Sequence, residues 1–206
     1  MKGPTSPPIE GPPFVGLTGG IGAGKSEALA ALSRLGVSVL STDAVVHELY
    51  NDPLVRDAVI ARWGSDVAPA GQVDRSAVAK HAFGSAEERE WLEGLLWPKV
   101  GERMMRWRRE ESAREPSPVA LVVEVPLLFE GGLDAAFDAT VAVIADEAVR
   151  RERAGARGHA ALEERTSRQL TQEEKAARAT YTVANSGTID ELEQALSDVV
   201  DKLRAG

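Results

Sequence analysis

The sequence predicts an α/β protein with a parallel β-sheet covered by helices on both faces. Short apolar runs alternate with longer segments of helical periodicity along the 206 residues. The apolar runs are nearly continuous, as in strands that are buried on both faces of a parallel sheet. A glycine-rich turn joins the first apolar run to the first helical segment. Together these three observations indicate a three-layer architecture.

Five segments are predicted as strands, at 14–18, 37–41, 119–125, 139–145 and 180–185. The third, VALVVEV, is the most β-branched and is therefore typical of the centre of a parallel sheet. The first helix follows the glycine-rich turn, because leucines at 29, 32 and 35 have helical spacing. Gly36 ends that helix.

Two long helical segments interrupt the strands. The first, 43–118, is too long for a single crossover helix, so we expect a helical insert above the carboxyl ends of the strands. Ligands of open α/β sheets bind at those ends. The second, 147–179, is rich in arginine and is expected to form a mobile lid.

The chain is expected to form one domain, 13–206, which includes the insert and the lid and is preceded by an extension at 1–12. The core of that domain comprises 13–42, 119–146 and 180–206. The extension is rich in proline and glycine, which favours flexibility, and it lacks the apolar core of a signal peptide.

Composition excludes several classes of function. The net charge of −8 argues against nucleic-acid and membrane binding, and no apolar run approaches the roughly 20 residues of a membrane span. Cysteine is absent, which excludes disulfides, a thiol nucleophile and a cysteine zinc site. The three histidines show no metal-ligand spacing. We therefore expect a cytoplasmic protein with no obligate protein partner.

The segment GGIGAGKS, 19–26, fits the phosphate-binding pattern G-x-x-x-x-G-K-[ST] between a strand and a helix. Backbone N–H groups of such a loop wrap a phosphate chain, and the following helix directs its positive end at the same anion. Lys25 would bridge the β- and γ-phosphates, and Ser26 would bind Mg²⁺. The predicted nucleotide-binding residues are Gly20, Ile21, Gly22, Ala23, Gly24, Lys25 and Ser26.

A small kinase fits this loop better than a GTPase, because no base-reading N-K-x-D is present. A kinase needs a carboxylate that orients or deprotonates the acceptor hydroxyl. Asp43 lies just past the second strand, at its carboxyl end, and suits that role, although an aspartate there could instead be the N-cap of a helix. Glu124, inside the third strand, is a candidate for a water-mediated Mg²⁺ contact. Its alternative is an edge-facing strand residue.

Longer matches indicate one family. They are GLTGGIGAGKS, STDAVVHEL, VDRSAVAKHAF, WLEGLLWPKV, VVEVPLLFEGGL and RQLTQEEKAARATYTVANSG. With them the chain resembles the dephospho-CoA kinase family over about 14–203. PLLFEGG and the tail with its Gln, Glu-Lys and Asn-x-Gly elements are the most discriminating, since the phosphate loop occurs in many families.

The resemblance implies a P-loop NTPase/kinase fold: three layers, α/β/α, with a five-stranded parallel sheet, a helical substrate-binding insert and a lid. It implies ATP-dependent phosphorylation of the ribose 3′-hydroxyl of dephospho-CoA, with Mg²⁺. The products would be coenzyme A and ADP, in the last step of CoA biosynthesis. The alternatives are a kinase for another small-molecule hydroxyl and an inactive nucleotide-binding interaction protein.

By the same resemblance Asp43 falls on the family's catalytic aspartate, and the role of Lys25 carries over. Arg153 and Arg157 are similar to lid arginines that contact ATP phosphates, with Arg157 also counted as catalytic. A solvated basic stripe is the alternative for Arg153. Asn185 and Gly187 form a turn that would approach adenine, or a simple connecting turn.

Residues implied in substrate binding lie mainly in the insert; with Asp43 they are His47, Arg75, Trp97, Lys99, Pro126 and Leu127. The chain departs from the family at four places. Ser41 replaces the first aspartate of a pair, and Glu27 replaces the threonine that commonly follows the serine of the phosphate-binding loop. His47 stands where arginine is frequent, and Trp97 replaces a histidine. Trp97 would then stack or donate its single N–H, or else only pack between helices.

Overall fold

The computed structural model describes residues 11–155 and 169–205. Its strands are β1 (Phe14–Gly19), β2 (Ser38–Ser41), β3 (Leu121–Glu124), β4 (Ala139–Ile144) and β5 (Tyr181–Ala184). They form one sheet in the order β2-β3-β1-β4-β5, and β1 pairs in parallel with β3 and β4. The predicted five-stranded parallel sheet is confirmed, and the ends of the strands lie within two residues of the prediction.

The helices are α1 (Lys25–Arg34), α2 (Thr42–Leu49), α3 (Pro53–Trp63), α4 (Arg75–Ala82), α5 (Ala86–Ser112), α6 (Glu147–Gly155), α7 (Gln172–Arg178) and α8 (Ile189–Ala205). Three short 3₁₀ turns span Ser65–Val67, Pro69–Gly71 and Asp134–Ala136. Among the described helices, none combines the length and apolar character that crossing a membrane requires.

The two faces of the sheet bear different helices. Alternate side chains of β1 and β4 point to one face, where α1 and α8 cover them; this core includes Val15, Leu17, Val141, Val143, Ala28, Leu32, Leu192 and Leu196. Thr18 and Thr140 point to the opposite face, where α7 contacts β1 and β4. The three-layer α/β/α prediction is therefore confirmed.

The chain divides into two compact units. One contains the residues up to Val39 and from Arg108 onwards, and the other, the helical unit, is Leu40–Trp107. The helical unit has its own core, formed by Val45, Leu49, Tyr50, Val55, Val59, Val67, Val78, Leu96 and Val100. The predicted bounds of the insert and the lid stay predictions.

Side-chain caps fix two helix starts in the helical unit. The Oδ1 atom of Asp52 accepts a hydrogen bond from the Leu54 N–H at 2.8 Å, and Pro53 occupies the first turn of α3. Asp74 caps α4 in the same way, accepting from the Ser76 N–H at 2.8 Å. The cap of α4 sets the start of the helix at Arg75, one of the predicted substrate-binding residues.

Candidate active site

The phosphate-binding loop follows the carboxyl end of β1 and leads directly into α1. Lys25 is the first residue of α1, and its Nζ donates to the carbonyl oxygens of Gly19 at 3.0 Å and Gly20 at 3.3 Å. The ammonium therefore lies against the backbone of the loop. Ser26 is exposed on the first turn of the same helix.

Neighbouring protein atoms leave no space for a side chain at two glycines of this loop. Gly22 has φ +78°, and a Cβ there would lie 2.5 Å from the Arg150 carbonyl oxygen. Gly24 has φ +87°, and a Cβ there would overlap the side-chain amide of Asn185. Sequence reasoning assigned these glycines to phosphate approach alone. Close packing against α6 and Asn185 is a second, independent reason for them.

Replacement of Gly22 by alanine is expected to lower the free energy of unfolding by about 1–3 kcal/mol, since a non-glycine residue at positive φ is strained. The measurement is chemical denaturation without nucleotide. Gly94→Ala is the matched control, because a Cβ at that helical position meets no atom within 4 Å. It should stabilise the protein by about 0.5–1 kcal/mol. Equal stability of Gly22→Ala and the unmodified protein would contradict the packing argument.

Two arginines of α6 contact the loop and its surroundings. The Nε of Arg150 donates to the Ile21 carbonyl oxygen at 3.0 Å, and its Nη1 pairs with Glu147 at 3.0 Å. Arg153 donates through Nη1 to the Asn185 carbonyl oxygen at 2.9 Å. The alternative of a solvated stripe is therefore wrong for Arg153. Sequence reasoning missed Arg150, although its i,i+3 spacing from Arg153 places both on one helix face.

Asn185 braces the loop from the end of β5. Asn185 is buried, and its Nδ2 donates to the Ala23 carbonyl oxygen at 2.8 Å. Its backbone N–H donates to the Ile144 carbonyl oxygen at 2.8 Å. The turn is therefore more than a simple connection. A Cβ at Gly187 would overlap the carboxylate of Glu191, which would have to move away from its hydrogen bond with the Thr188 N–H. Arg157 lies outside the described residues.

Glu124 is the last residue of β3 and is 6% exposed. Because β3 lies between β2 and β1, the alternative of an edge-facing residue is wrong. The Cα of Glu124 is in register with Leu17, two residues before the phosphate-binding loop begins. The structure therefore places a buried carboxylate at the carboxyl end of a central strand.

A buried lysine behind the loop was also missed. Lys175 of α7 is 0% exposed, and its Nζ forms an ion pair with the Oε1 of Glu130 at 2.8 Å. The same Nζ donates to the Pro126 carbonyl oxygen at 2.8 Å. Lys175 lies in the segment RQLTQEEKAARATYTVANSG that resembles the family. Its burial could not be predicted, because lysine side chains are almost never fully buried unless they are paired.

In the helical unit, Asp43 is on the first turn of α2. The N-cap is Ser41, so the alternative of Asp43 as an N-cap is wrong. Asp43 is exposed, and it makes no hydrogen bond or ion pair with another side chain in the described part of the chain. His47 lies four residues further along the same helix and therefore on the same face. The Nη1 of Arg75 is 3.2 Å from the Nδ1 of His47.

Three further side chains belong to this unit. Lys99 lies 4.0 Å from the carboxylate of Asp52. Trp97 is 42% exposed, so packing covers only part of its side chain. Burial raises the pKa of Tyr50 above its usual value, against the opposing charge of Arg75. Tyr50 belongs to the core of the helical unit and keeps its proton at neutral pH. No cluster of three or more metal-binding side chains occurs among the described residues.

Comparison with known proteins places the chain among kinases. A family model described as dephospho-CoA kinase matches residues 13–191. A dephospho-CoA kinase from Protochlamydia amoebophila is 33% identical over 195 residues, covering 92% of this chain and 96% of the relative. Another from Moorella thermoacetica is 38% identical over 183 residues, covering 86% of this chain and 85% of the relative.

Solved structures show the same fold. A crystal structure of a Thermus thermophilus protein matches with a TM-score of 0.77 and 31% identity, covering 94% of this chain and 99% of that one. A dephospho-CoA kinase from Campylobacter jejuni matches with a TM-score of 0.67 and 21% identity, covering 93% and 97%. At that identity the second match supports the fold alone.

Proposed function

This chain belongs to the dephospho-CoA kinase family, and we propose from that premise that it transfers the terminal phosphoryl group of ATP to the ribose 3′-hydroxyl of dephospho-CoA. The products are coenzyme A and ADP. The observation that most supports this function is the complete phosphate-binding loop, with Lys25 held at its backbone carbonyls. Use of ATP follows from membership of the kinase family.

For the nucleotide, we propose that the backbone N–H groups of the loop bind the phosphates and that Lys25 neutralises charge at the β- and γ-phosphates. Arg153 and Arg157 add positive charge from the lid, and the turn at Asn185 and Gly187 adjoins adenine. The support for the last assignment is the hydrogen bond from Asn185 to the loop at Ala23.

Mg²⁺ fits the residues at the loop. Ser26 offers an exposed hydroxyl, and Glu124 or Asp43 would act through water. Because Mg²⁺ retains several waters and takes phosphate oxygens as ligands, it does not need a cage of protein carboxylates. The ion would offset the charge of the triphosphate during transfer.

For the acceptor, we propose that Asp43 orients the 3′-hydroxyl and accepts its proton. A bond forms between the 3′-oxygen and the γ-phosphorus, and the bond from that phosphorus to the β–γ bridging oxygen breaks. Arg75 and Lys99 supply positive charge for the phosphates of dephospho-CoA. His47, Trp97, Pro126 and Leu127 complete the acceptor site. Closure of the lid would exclude water, which competes for the phosphoryl group.

The test is ADP release with MgATP and, separately, dephospho-CoA, coenzyme A and adenosine. With MgATP present, we expect turnover with dephospho-CoA but not with the other two acceptors, and a product that co-elutes with coenzyme A. Turnover with adenosine alone would indicate another small-molecule hydroxyl as acceptor. Tight MgATP binding without turnover on any acceptor would contradict the proposed function and favour a nucleotide-binding protein without catalysis.

A further inference from the structure

The ammonium group of Lys175 lies at the meeting point of three segments that are distant in sequence. Its three hydrogens have three acceptors: the Pro126 carbonyl at 2.8 Å, the Glu130 Oε1 at 2.8 Å and the Thr18 hydroxyl at 3.3 Å. The Thr18 hydroxyl in turn donates to the Pro126 carbonyl at 3.2 Å. We call this arrangement the Lys175 network.

Two of these segments adjoin the reacting groups in the proposed function. Thr18 immediately precedes Gly19, the first residue of the phosphate-binding loop. Pro126 begins the turn after β3, where Pro126 and Leu127 are assigned to the acceptor. A single buried charge therefore fixes the turn assigned to the acceptor against the strand that leads into the loop for the donor phosphates.

The third segment leads into α7. The Oε1 of Glu130 also accepts from the Leu170 N–H at 2.8 Å, and α7 begins with a capping box between Thr171 and Glu174. The cap fixes the start of the helix that positions Lys175. The other oxygen of Glu130, Oε2, is buried and has no hydrogen-bond partner among the described residues.

Stability alone does not explain an ion pair between a fully buried lysine and a glutamate that is only 12% exposed, because an apolar pair of similar volume is often as stable or more so. We propose that Lys175 and Glu130 are positioning residues for phosphoryl transfer, which hold the Pro126 turn in register with the phosphate-binding loop through Thr18. This inference rests on the proposed function. Neither residue needs to touch a substrate.

The test is the double variant Lys175→Met/Glu130→Leu, which removes both charges and leaves no buried charge unpaired. We expect its melting temperature to stay close to that of the unmodified enzyme. We expect KM for dephospho-CoA to rise about tenfold or more, since a misplacement of about 1 Å caused by a change away from the reacting groups can cost up to about 100-fold. The Kd for MgATP, measured by calorimetry, should change much less.

Thr180→Ala is the matched control. It removes the hydrogen bond from the Thr140 N–H to the Thr180 hydroxyl at 3.0 Å, just after α7 but away from Pro126. It should lower the melting temperature and leave both KM values unchanged. An equal rise of KM in Thr180→Ala would mean that general loosening causes the effect, and would overturn the proposal.

Thr18→Val is the second variant, and it decides the question if the double variant does not fold. It keeps the ion pair but removes the hydroxyl that links Lys175 to β1, and it should raise KM for dephospho-CoA in the same direction. Unchanged KM and kcat in a folded variant would overturn the positioning role. Lack of turnover by the unmodified enzyme would instead overturn the proposed function, and this inference with it.

Discussion

Replacement of Asp43 by asparagine is expected to lower kcat by roughly 10²- to 10⁴-fold, the range that a positioned general base contributes. Asparagine has nearly the same shape and can still hydrogen-bond the 3′-hydroxyl, but it cannot take the proton. Because Asp43 is exposed and makes no ion pair with another described side chain, the fold should not depend on it. Steady-state kinetics with dephospho-CoA measures the loss, and the Kd for MgATP should stay nearly unchanged.

Glu48→Gln is the control for Asp43→Asn. Glu48 lies on the same helix and is exposed, and its only side-chain partner in the described ranges is Arg103, at 3.8 Å on the surface. Exposed pairs of this kind contribute little to stability. Loss of this pair in Glu48→Gln should leave kcat within about twofold of the value for the unmodified enzyme. Near-normal kcat in Asp43→Asn, with both variants folded, would rule out Asp43 as the base.

Replacement of Lys25 by methionine should lower kcat/KM by roughly 10²- to 10³-fold, as is typical when one preorganised charge is removed from the transition state. The affinity for MgATP should fall as well, since the proposed role of Lys25 includes contact with the phosphates before and during transfer. Methionine keeps most of the length of the side chain without its charge. The hydrogen bonds to the Gly19 and Gly20 carbonyls would also be lost.

The melting temperature separates the two consequences of Lys25→Met. A stable variant with low kcat/KM supports a direct electrostatic role, whereas a large fall in melting temperature would point to disruption of the loop. Arg34→Met is the control, because Arg34 lies on the same helix α1 and pairs with Glu193 at 3.2 Å on the surface. Equal kcat/KM for Lys25→Met and Arg34→Met would contradict the proposed role of Lys25.

Local sequence was sufficient to predict the strands, the first helix and the phosphate-binding loop. Continuous β-branched runs have few alternatives to buried parallel strands, and the glycine spacing restricts the backbone to a phosphate-binding turn. Asp43 could also be proposed from local sequence, because a residue just past a parallel strand lies at the carboxyl end of that strand.

Contacts between distant segments could not be predicted in this way. Arg150 is 129 residues from Ile21, and Lys175 is 157 residues from Thr18. Arginine and lysine in helices usually indicate solvent-exposed faces. Only the packing of α6 and α7 against β1 and its loop makes these two side chains specific partners.

The packing around Gly22 and Gly24 has an evolutionary consequence. A descendant of this chain that had lost phosphoryl transfer would still need both glycines, since α6 and Asn185 occupy the space where a Cβ would lie. The Ser26 hydroxyl, by contrast, makes no hydrogen bond to any residue in the described ranges. Genetic drift after loss of catalysis should therefore alter Ser26 early and the glycines late, so that serine at this position is the more sensitive record of continued selection for activity.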